Sequence, residues 1–272
     1  MEYSFSIIPN PGMRDFQKAA YRFNCIAQEE SLSIVFVGDF AAKMLGSPRE
    51  IRRLEVLVEP RFFENPNDEN SLVRSVTRRW SQGPRPYLAS APMQASGPNT
   101  PASHWPIVVS RSSERRGIPL YIFPAGDVRE CFRSPTGQIE GSNVVIPYLA
   151  IPLQLTAYNN CLIPVLQAHM LIDQRLRRFC DTILDLDTIR CDIIDINALL
   201  DYALSTYDPM TQLRNAQLFT VAAGRELLPL VRYMLAQAES LGIWTTITEV
   251  NKWRRVNIEL GLEDIRSSQA RF

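Results

Sequence analysis

Val35-Phe-Val-Gly38-Asp39-Phe-Ala-Ala-Lys43-Met-Leu-Gly46-Ser-Pro-Arg49-Glu-Ile-Arg-Arg53-Leu-Glu55-Val-Leu-Val58 compresses strand, helix, turn and strand into one short span. An apolar run ends at Gly38-Asp39. A short helical segment, Phe40 to Leu45, follows, and Gly46-Ser47-Pro48-Arg49 breaks it. A second apolar run, Leu54 to Val58, opens beyond. Strands covered on both faces read as such uninterrupted apolar runs. The glycine after the first strand lets backbone come close to a ligand, and the helix that follows turns its first amides toward the same place.

Working outward, residues 12–30 place Phe16, Ala19 or Ala20, Phe23 and Ile26 or Ala27 at helical spacing, and the first strand covers Ser33 to Val37. Beyond the second strand, Pro60 to Asn70 reads as a loop and Ser71 to Gln82 as a helix with Leu72, Val73, Val76 and Trp80 along one side. Gly83 to Pro106 carries six prolines among Ser, Ala and Gly. Proline removes a backbone donor, so this stretch reads as a flexible flap, with Tyr87, His104 and Trp105 available to cover a pocket. An insertion without a role is the plain alternative. Ile107 to Ser110 and Ile118 to Phe123 form two strands joined by the polar turn 111–117, and Ser142 to Pro147 reads as a short edge strand.

From Ala150 onward the apolar spacing is helical. Ile163 to Cys180 is expected as one helix, and Arg190 to Leu200 opens another containing Asp192 and Asp195. Those two carboxylates share a helix face. They could serve metal binding or acid–base work, but the reading adopted is that they cap the helix start. Three further helices are expected, Met210 to Ala223, Glu226 to Leu241 and Thr246 to Leu260, each stopped by a glycine (Gly224, Gly242, Gly261). The last carries Lys252-Trp253-Arg254-Arg255, a patch that could hold RNA or phosphate but is more simply a solvated face around one buried Trp.

The opening stretch resembles the entry motif of the nucleotidyltransferase superfamily, in the branch of small-molecule adenylyltransferases and nucleotidyltransferase-like toxins. Gly38, Ala41 or Ala42, Leu45-Gly46 and Arg49 fall on its pattern; Arg175, Asp192, Asp195 and Leu199-Leu200 fall on that of its following helices. The resemblance implies an α+β fold: a nucleotidyltransferase-like mixed sheet flanked by helices over 1–149, with 83–106 as the flexible loop, then a C-terminal helical bundle over 150–272. It also implies a carboxylate triad holding Mg²⁺ against a triphosphate. Here the three positions read Arg53, Glu55 and Tyr121. An arginine repels the ion, and a neutral phenol does not ligate it. The family's helical lysine falls near Gln167 and is absent.

Composition narrows the partners. Lys+Arg and Asp+Glu both number 29, so no global field draws nucleic acid or an anionic membrane. Lysine occurs only at Lys18, Lys43 and Lys252, and the remaining basic residues are arginines, which suit bidentate contacts to carboxylate or phosphate. Base composition of the gene explains the bias equally well. Five scattered cysteines without a C-x-x-C pair, and an acidic start in place of a targeting sequence, suggest reduced thiols in a cytoplasmic protein. No apolar run reaches the ~20 residues of a membrane span.

The function expected is that of a degenerate family member, a pseudoenzyme of nucleotidyl transfer that binds a small polar or anionic molecule. Glu55 and Tyr121 would act as acid–base groups and Arg53 would steady negative charge. Gly38, Asp39, Lys43 and Arg49 would line the ligand site, with no metal and no required cofactor, a nucleotide remaining open as the ligand. The pattern resembles fungal proteins of unassigned role that carry a weak nucleotidyltransferase signature, which implies specialised metabolism. Two alternatives stand beside it: an active Mg²⁺-dependent transferase using Asp39 and Glu55, and a non-enzymatic protein that binds a partner or RNA. The sequence does not fix the oligomeric state.

Overall fold

The computed structural model describes residues 5–59, 62, 71–82, 87–88, 93–94, 103–111, 115–125, 148–153, 161–181, 185–205, 221–243, 252–256 and 258. The strands are β1 (Phe5–Ile7), β2 (Ile34–Val37), β3 (Leu54–Val58), β4 (Met93–Gln94), β5 (Ser103–Arg111), β6 (Arg115–Pro124), β7 (Tyr148–Pro152) and β8 (Leu162–Leu166). The helices are α1 (Met13–Glu29), α2 (Gly38–Met44), α3 (Leu72–Ser81), α4 (Ala168–Asp181), α5 (Leu186–Ser205) and α6 (Val221–Ser240).

The strands form one mixed sheet in the order β4-β5-β6-β3-β2-β8-β7, with β1 alongside the start of β6. The two runs of the opening stretch are neighbours: β2 and β3 pair antiparallel, with Val37 opposite Glu55. Next, β3 pairs parallel with β6 and sets Glu55 against Tyr121. The chain divides into two compact units, one built on the sheet with α1, α2 and α3, the other holding Leu45–Arg49 and the helices after Leu166.

In the sheet unit, the apolar stripe expected along residues 12–30 is the buried face of α1: Phe16, Ala19, Ala20, Phe23, Ile26 and Ala27 are all closed to solvent. Burying a side chain of Phe or Ile size stabilises by roughly 1.5–3 kcal/mol, so this stripe ties the helix to the sheet. Phe36 on β2 meets Phe40 on α2 edge to face at 5.5 Å, which fixes the short helix beside its strand. Ser71 caps α3, its hydroxyl accepting from the Arg74 amide at 3.4 Å.

In the helical unit, α4 packs on α5 and on α6. The N-cap of α5 is Asp185, whose carboxylate accepts from the Thr188 amide and the Thr188 hydroxyl, both at 2.8 Å. These bonds hold its carboxyl below the ordinary aspartate range. Asp192 and Asp195 therefore lie well inside the helix and do not cap it. Gly242 ends α6 at φ +64°: its amide donates to Glu239 O and that of Ile243 to Ala238 O, the double bond pattern of a left-handed C-terminal turn.

Other expectations change. Ile163–Cys180 is not one helix; its first part is strand β8, paired with β7 and β2, and α4 starts at Ala168. The sheet thus runs past the expected boundary at 149. A buried strand and a buried helical segment share an apolar pattern over so few residues. Gly224 does not stop a helix, because α6 continues through it and through Pro229.

The stretch from Gly83 to Pro106 also contributes to the sheet. Leu88 bridges to Ile107, β4 pairs with β5, and β5 begins at Ser103. Tyr87 stacks on Trp80 at 5.3 Å with the Arg22 guanidinium 5.4 Å from its ring, so it is packed and not a free cover. Strand pairing tolerates the prolines because Pro106 stands opposite Pro119. Neither can donate, so theirs is the antiparallel rung that needs no N–H. The expected strand at 142–147, the helix start at 210–220 and most of 246–260 lie outside the described residues.

Candidate functional site

The site is built on the adjacent strands β2, β3 and β6. Gly38, at the end of β2, has φ +66°. A Cβ there would sit 1.7 Å from Glu55 Oε2. Glycine suits the left-handed backbone, and any side chain there would have to push the Glu55 carboxylate aside. Glu55 lies in β3, its side chain 11% exposed. A carboxylate so placed needs a partner, and Arg53 supplies it: Nε stands 2.7 Å from Glu55 Oε1. The same guanidinium lies 5.6 Å from the centre of the Tyr121 ring, within cation–π reach.

Arg53, Glu55, Tyr121 and Gly38 thus form one cluster. Their exposures differ. Arg53 is 49% exposed, and among the described residues its ion-pair and ring partners are Glu55 and Tyr121. Tyr121 is half-buried. Along β6 burial alternates: Ile118, Leu120 and Ile122 are closed, whereas Pro119, Tyr121 and Phe123 are partly open. Along β6, the positions on Tyr121's face are thus the partly open ones.

Asp39 and Lys43 sit in the first and last turns of α2, both half-buried. Arg49 is engaged elsewhere. Its Nη1 donates to Asp195 Oδ2 at 2.5 Å and to the Cys191 carbonyl at 3.3 Å. Ser47 donates its hydroxyl to Asp195 Oδ1 at 2.6 Å. Arg175 brings Nη2 to 2.7 Å from Asp195 Oδ2 and Nη1 to 3.8 Å from Asp192 Oδ1. Arg178 grips Asp192 through Nε, at 2.8 Å, and through Nη2. Asp192 is 0% exposed, Asp195 1% and Arg175 2%.

This is a closed ionic core of the helical unit, built on Leu45–Arg49, α4 and α5. Burial raises the Asp192 carboxyl above its ordinary range, with Arg175 and Arg178 pulling back. The Asp-x-x-Asp spacing flagged the two carboxylates, and their partners Ser47 and Arg178 carried no signal in the sequence.

Sequence reasoning also missed the place of His104. It belongs to β5, where it is the register partner of Tyr121. Strand alternation could have shown this, had the prolines around it not suggested a loop.

No protein-family model and no curated protein matches the sequence. A solved structure does: a crystal structure of an antigenic nucleotidyltransferase-like protein from Paracoccidioides brasiliensis superposes with a TM-score of 0.56 over 92% of this chain and 96% of that one, at 9% identity. At that identity the likeness concerns the fold. The chain has a nucleotidyltransferase-like fold, a mixed sheet flanked by helices and followed by a helical bundle. Among the described residues, no helix is long and apolar enough to cross a membrane.

Proposed function

We propose that the chain binds a small polar or anionic molecule at the Arg53–Glu55–Tyr121 cluster, without a divalent metal, and that the nucleotidyltransferase fold has been turned to another ligand. The observation that carries this reading is the state of Arg53. One edge of its guanidinium neutralises Glu55, and the half-exposed remainder has no other ion partner among the described residues. A guanidinium held at one edge and free at the other is preorganised for a carboxylate or phosphate.

The residues do not suit Mg²⁺. That ion needs near-octahedral oxygen ligands, whereas here the carboxylate is already paired with a cation and its register neighbour is a phenol. Among the described residues no group of three or more His, Cys, Asp or Glu is placed to hold a metal. Any chemistry would then rest on proton transfer by Glu55 or Tyr121, with Arg53 opposing developing negative charge. A place in specialised metabolism is part of this proposal, on the resemblance alone.

Thermal-shift measurements with ATP, AMP, inorganic pyrophosphate and citrate, each with Mg²⁺ and with EDTA, test it. A ligand at a hundred times its Kd stabilises the native state by about 2.7 kcal/mol, which a melting curve resolves. The expected result is stabilisation by at least one anion, equal in Mg²⁺ and EDTA and lost in Arg53→Gln. Stabilisation that needs Mg²⁺, or Mg²⁺-dependent transfer from a radiolabelled nucleotide that Glu55→Gln abolishes, would show an active transferase instead.

A further inference from the structure

Gly38 and Arg53 hold a carboxylate between them, and that carboxylate belongs to the chain itself. β2 and β3 pair antiparallel with Val37 opposite Glu55, so Gly38 begins its turn one residue beyond that pairing. The backbone at Gly38 has φ +66°. Glu55 fills the space that the missing side chain leaves. The point where a Cβ would stand on Gly38 lies 2.8 Å from Glu55 Cδ and 3.5 Å from Glu55 Cβ, with Oε2 closer still. The other oxygen, Oε1, faces Arg53 Nε at 2.7 Å. The carboxylate is thus packed on glycine backbone through one oxygen and charge-paired through the other. Of the two side chains, Glu55 is 11% exposed and Arg53 49%.

Glycine backbone that permits close approach, with a guanidinium alongside, is a common way to hold a bound anion. The Glu55 carboxylate meets both. Beyond its Cβ, the Glu55 side chain has the heavy atoms of acetate. It lies in the site as a small anionic ligand would.

From this geometry we infer that Glu55 is the built-in occupant of the site's inner anion position, and that it decides which anions the site accepts. The inference rests on the proposed Arg53 site and adds what limits it. An incoming ligand meets the outward part of Arg53 beside a fixed negative charge. Arg53 and Glu55 together carry no net charge, so the attraction of the guanidinium for a multiply charged ligand is offset, and Coulomb repulsion from Glu55 grows with each further charge on the ligand. The site therefore favours an organic anion that presents a single carboxylate over pyrophosphate or the polyphosphate of a nucleotide.

Two full-length variants test this in EDTA. Glu55→Gln keeps the shape and removes the charge. It is expected to bind pyrophosphate about tenfold more tightly than the parent, and to gain less for benzoate, which carries one charge. Glu55→Ala keeps Cβ and deletes the acetate-like remainder, so acetate can take the inner position. Melting curves in sodium acetate and sodium chloride, at equal ionic strength in the tens of millimolar, are expected to show acetate stabilising Glu55→Ala more than the parent. The added Arg53→Gln change should abolish that excess.

If Glu55→Gln gains nothing, or gains equally for both anions, the inference is wrong. It is equally wrong if acetate stabilises Glu55→Ala no more than the parent. In either case the Arg53 site still stands, provided that the parent binds an anion and Arg53→Gln loses it. If neither the parent nor Glu55→Gln binds pyrophosphate or benzoate, both readings are overturned. Should Glu55→Ala fail to fold in both salts, the Glu55→Gln titrations decide alone.

Discussion

Arginine meets carboxylate in two places in this protein, and the two places are built to opposite rules. In the sheet unit, one arginine neutralises one glutamate while its side chain stays 49% exposed. In the helical unit, Arg49, Arg175 and Arg178 enclose Asp192 and Asp195, with the Ser47 hydroxyl on Asp195 and both carboxylates out of contact with water. Buried charges on this scale are tolerated only when each is surrounded by partners. The closed cluster holds a segment and two helices in register. The open pair presents charge to whatever approaches. The same residue types thus do structural work where they are enclosed and leave binding capacity where they are exposed.

The comparison breaks most visibly if the closed cluster is opened. Asp195→Ala removes the carboxylate that Ser47, Arg49 and Arg175 share, leaving Asp192 as the nearest buried carboxylate to Arg175. The expected cost is about 3–5 kcal/mol in urea unfolding. Asp195→Asn, which keeps the shape and an acceptor for Ser47, should recover part of it. A loss below about 1 kcal/mol for the alanine variant would mean the cluster is as dispensable as a surface pair.

Gly38→Ala comes next, at about 1–3 kcal/mol. It forces a side chain into the left-handed region and into the space of the Glu55 carboxylate, 1.7 Å away. A carboxylate pushed aside changes its pairing with Arg53, so anion binding should fall together with stability. An alanine variant as stable as the parent would show that Glu55 swings aside freely and that the open site is not held in shape.

Much of this frame was legible in the sequence. Leu54–Val58 stood out because an apolar run between a charged turn and a proline has few alternatives. The α1 stripe was plain because Phe16, Ala20, Phe23 and Ala27 repeat at helical spacing over about three turns. The pairing of Glu55 with Tyr121 was anticipated from the resemblance, not from any local pattern. What stayed hidden depends on long-range contacts. Leu162-Ile-Pro-Val-Leu merges into the helix after it, and only a neighbouring strand decides that it is β8. His104 was hidden by its prolines, whose rung in the ladder appears only once Pro119 is known to lie opposite. Asp192 and Asp195 were placed at a helix start because the true cap, Asp185, lies about two turns before Asp192 and nothing in the local spacing distinguishes the two.

Arg53→Gln should separate the two regions most sharply, because its effect on stability is small and its effect on binding large. Its own side chain is 49% exposed, so the lost pairing is screened by solvent and contributes about 1 kcal/mol or less. A glutamine amide can still donate to Glu55. Unfolding should therefore shift by under about 1 kcal/mol, against several for Asp195→Ala, while anion-induced stabilisation disappears. A large loss of stability would place Arg53 with the structural arginines and remove it from the ligand site.

The smallest effect concerns acid, and its sign separates the histidine of the helical unit from the carboxylates around it. Burial lowers the His169 imidazole pKa below its ordinary value. The folded chain then resists protonation that the unfolded chain accepts near pH 6.5. His169 accordingly contributes stability above about pH 6.5 that is lost as pH falls through its lower folded value. Asp173 and Asp192 act in the opposite sense: burial raises both carboxyls, so the folded state takes up their protons before the unfolded chain does, and acid adds stability as pH falls through their raised folded values. The parent protein alone would show only the sum. The difference between the parent and His169→Gln, followed by urea midpoint from about pH 7.5 to about pH 5, isolates the imidazole. The parent should lose more stability than the variant across that range. Parallel curves would mean that His169 opens to water readily enough to titrate as it does in the unfolded chain.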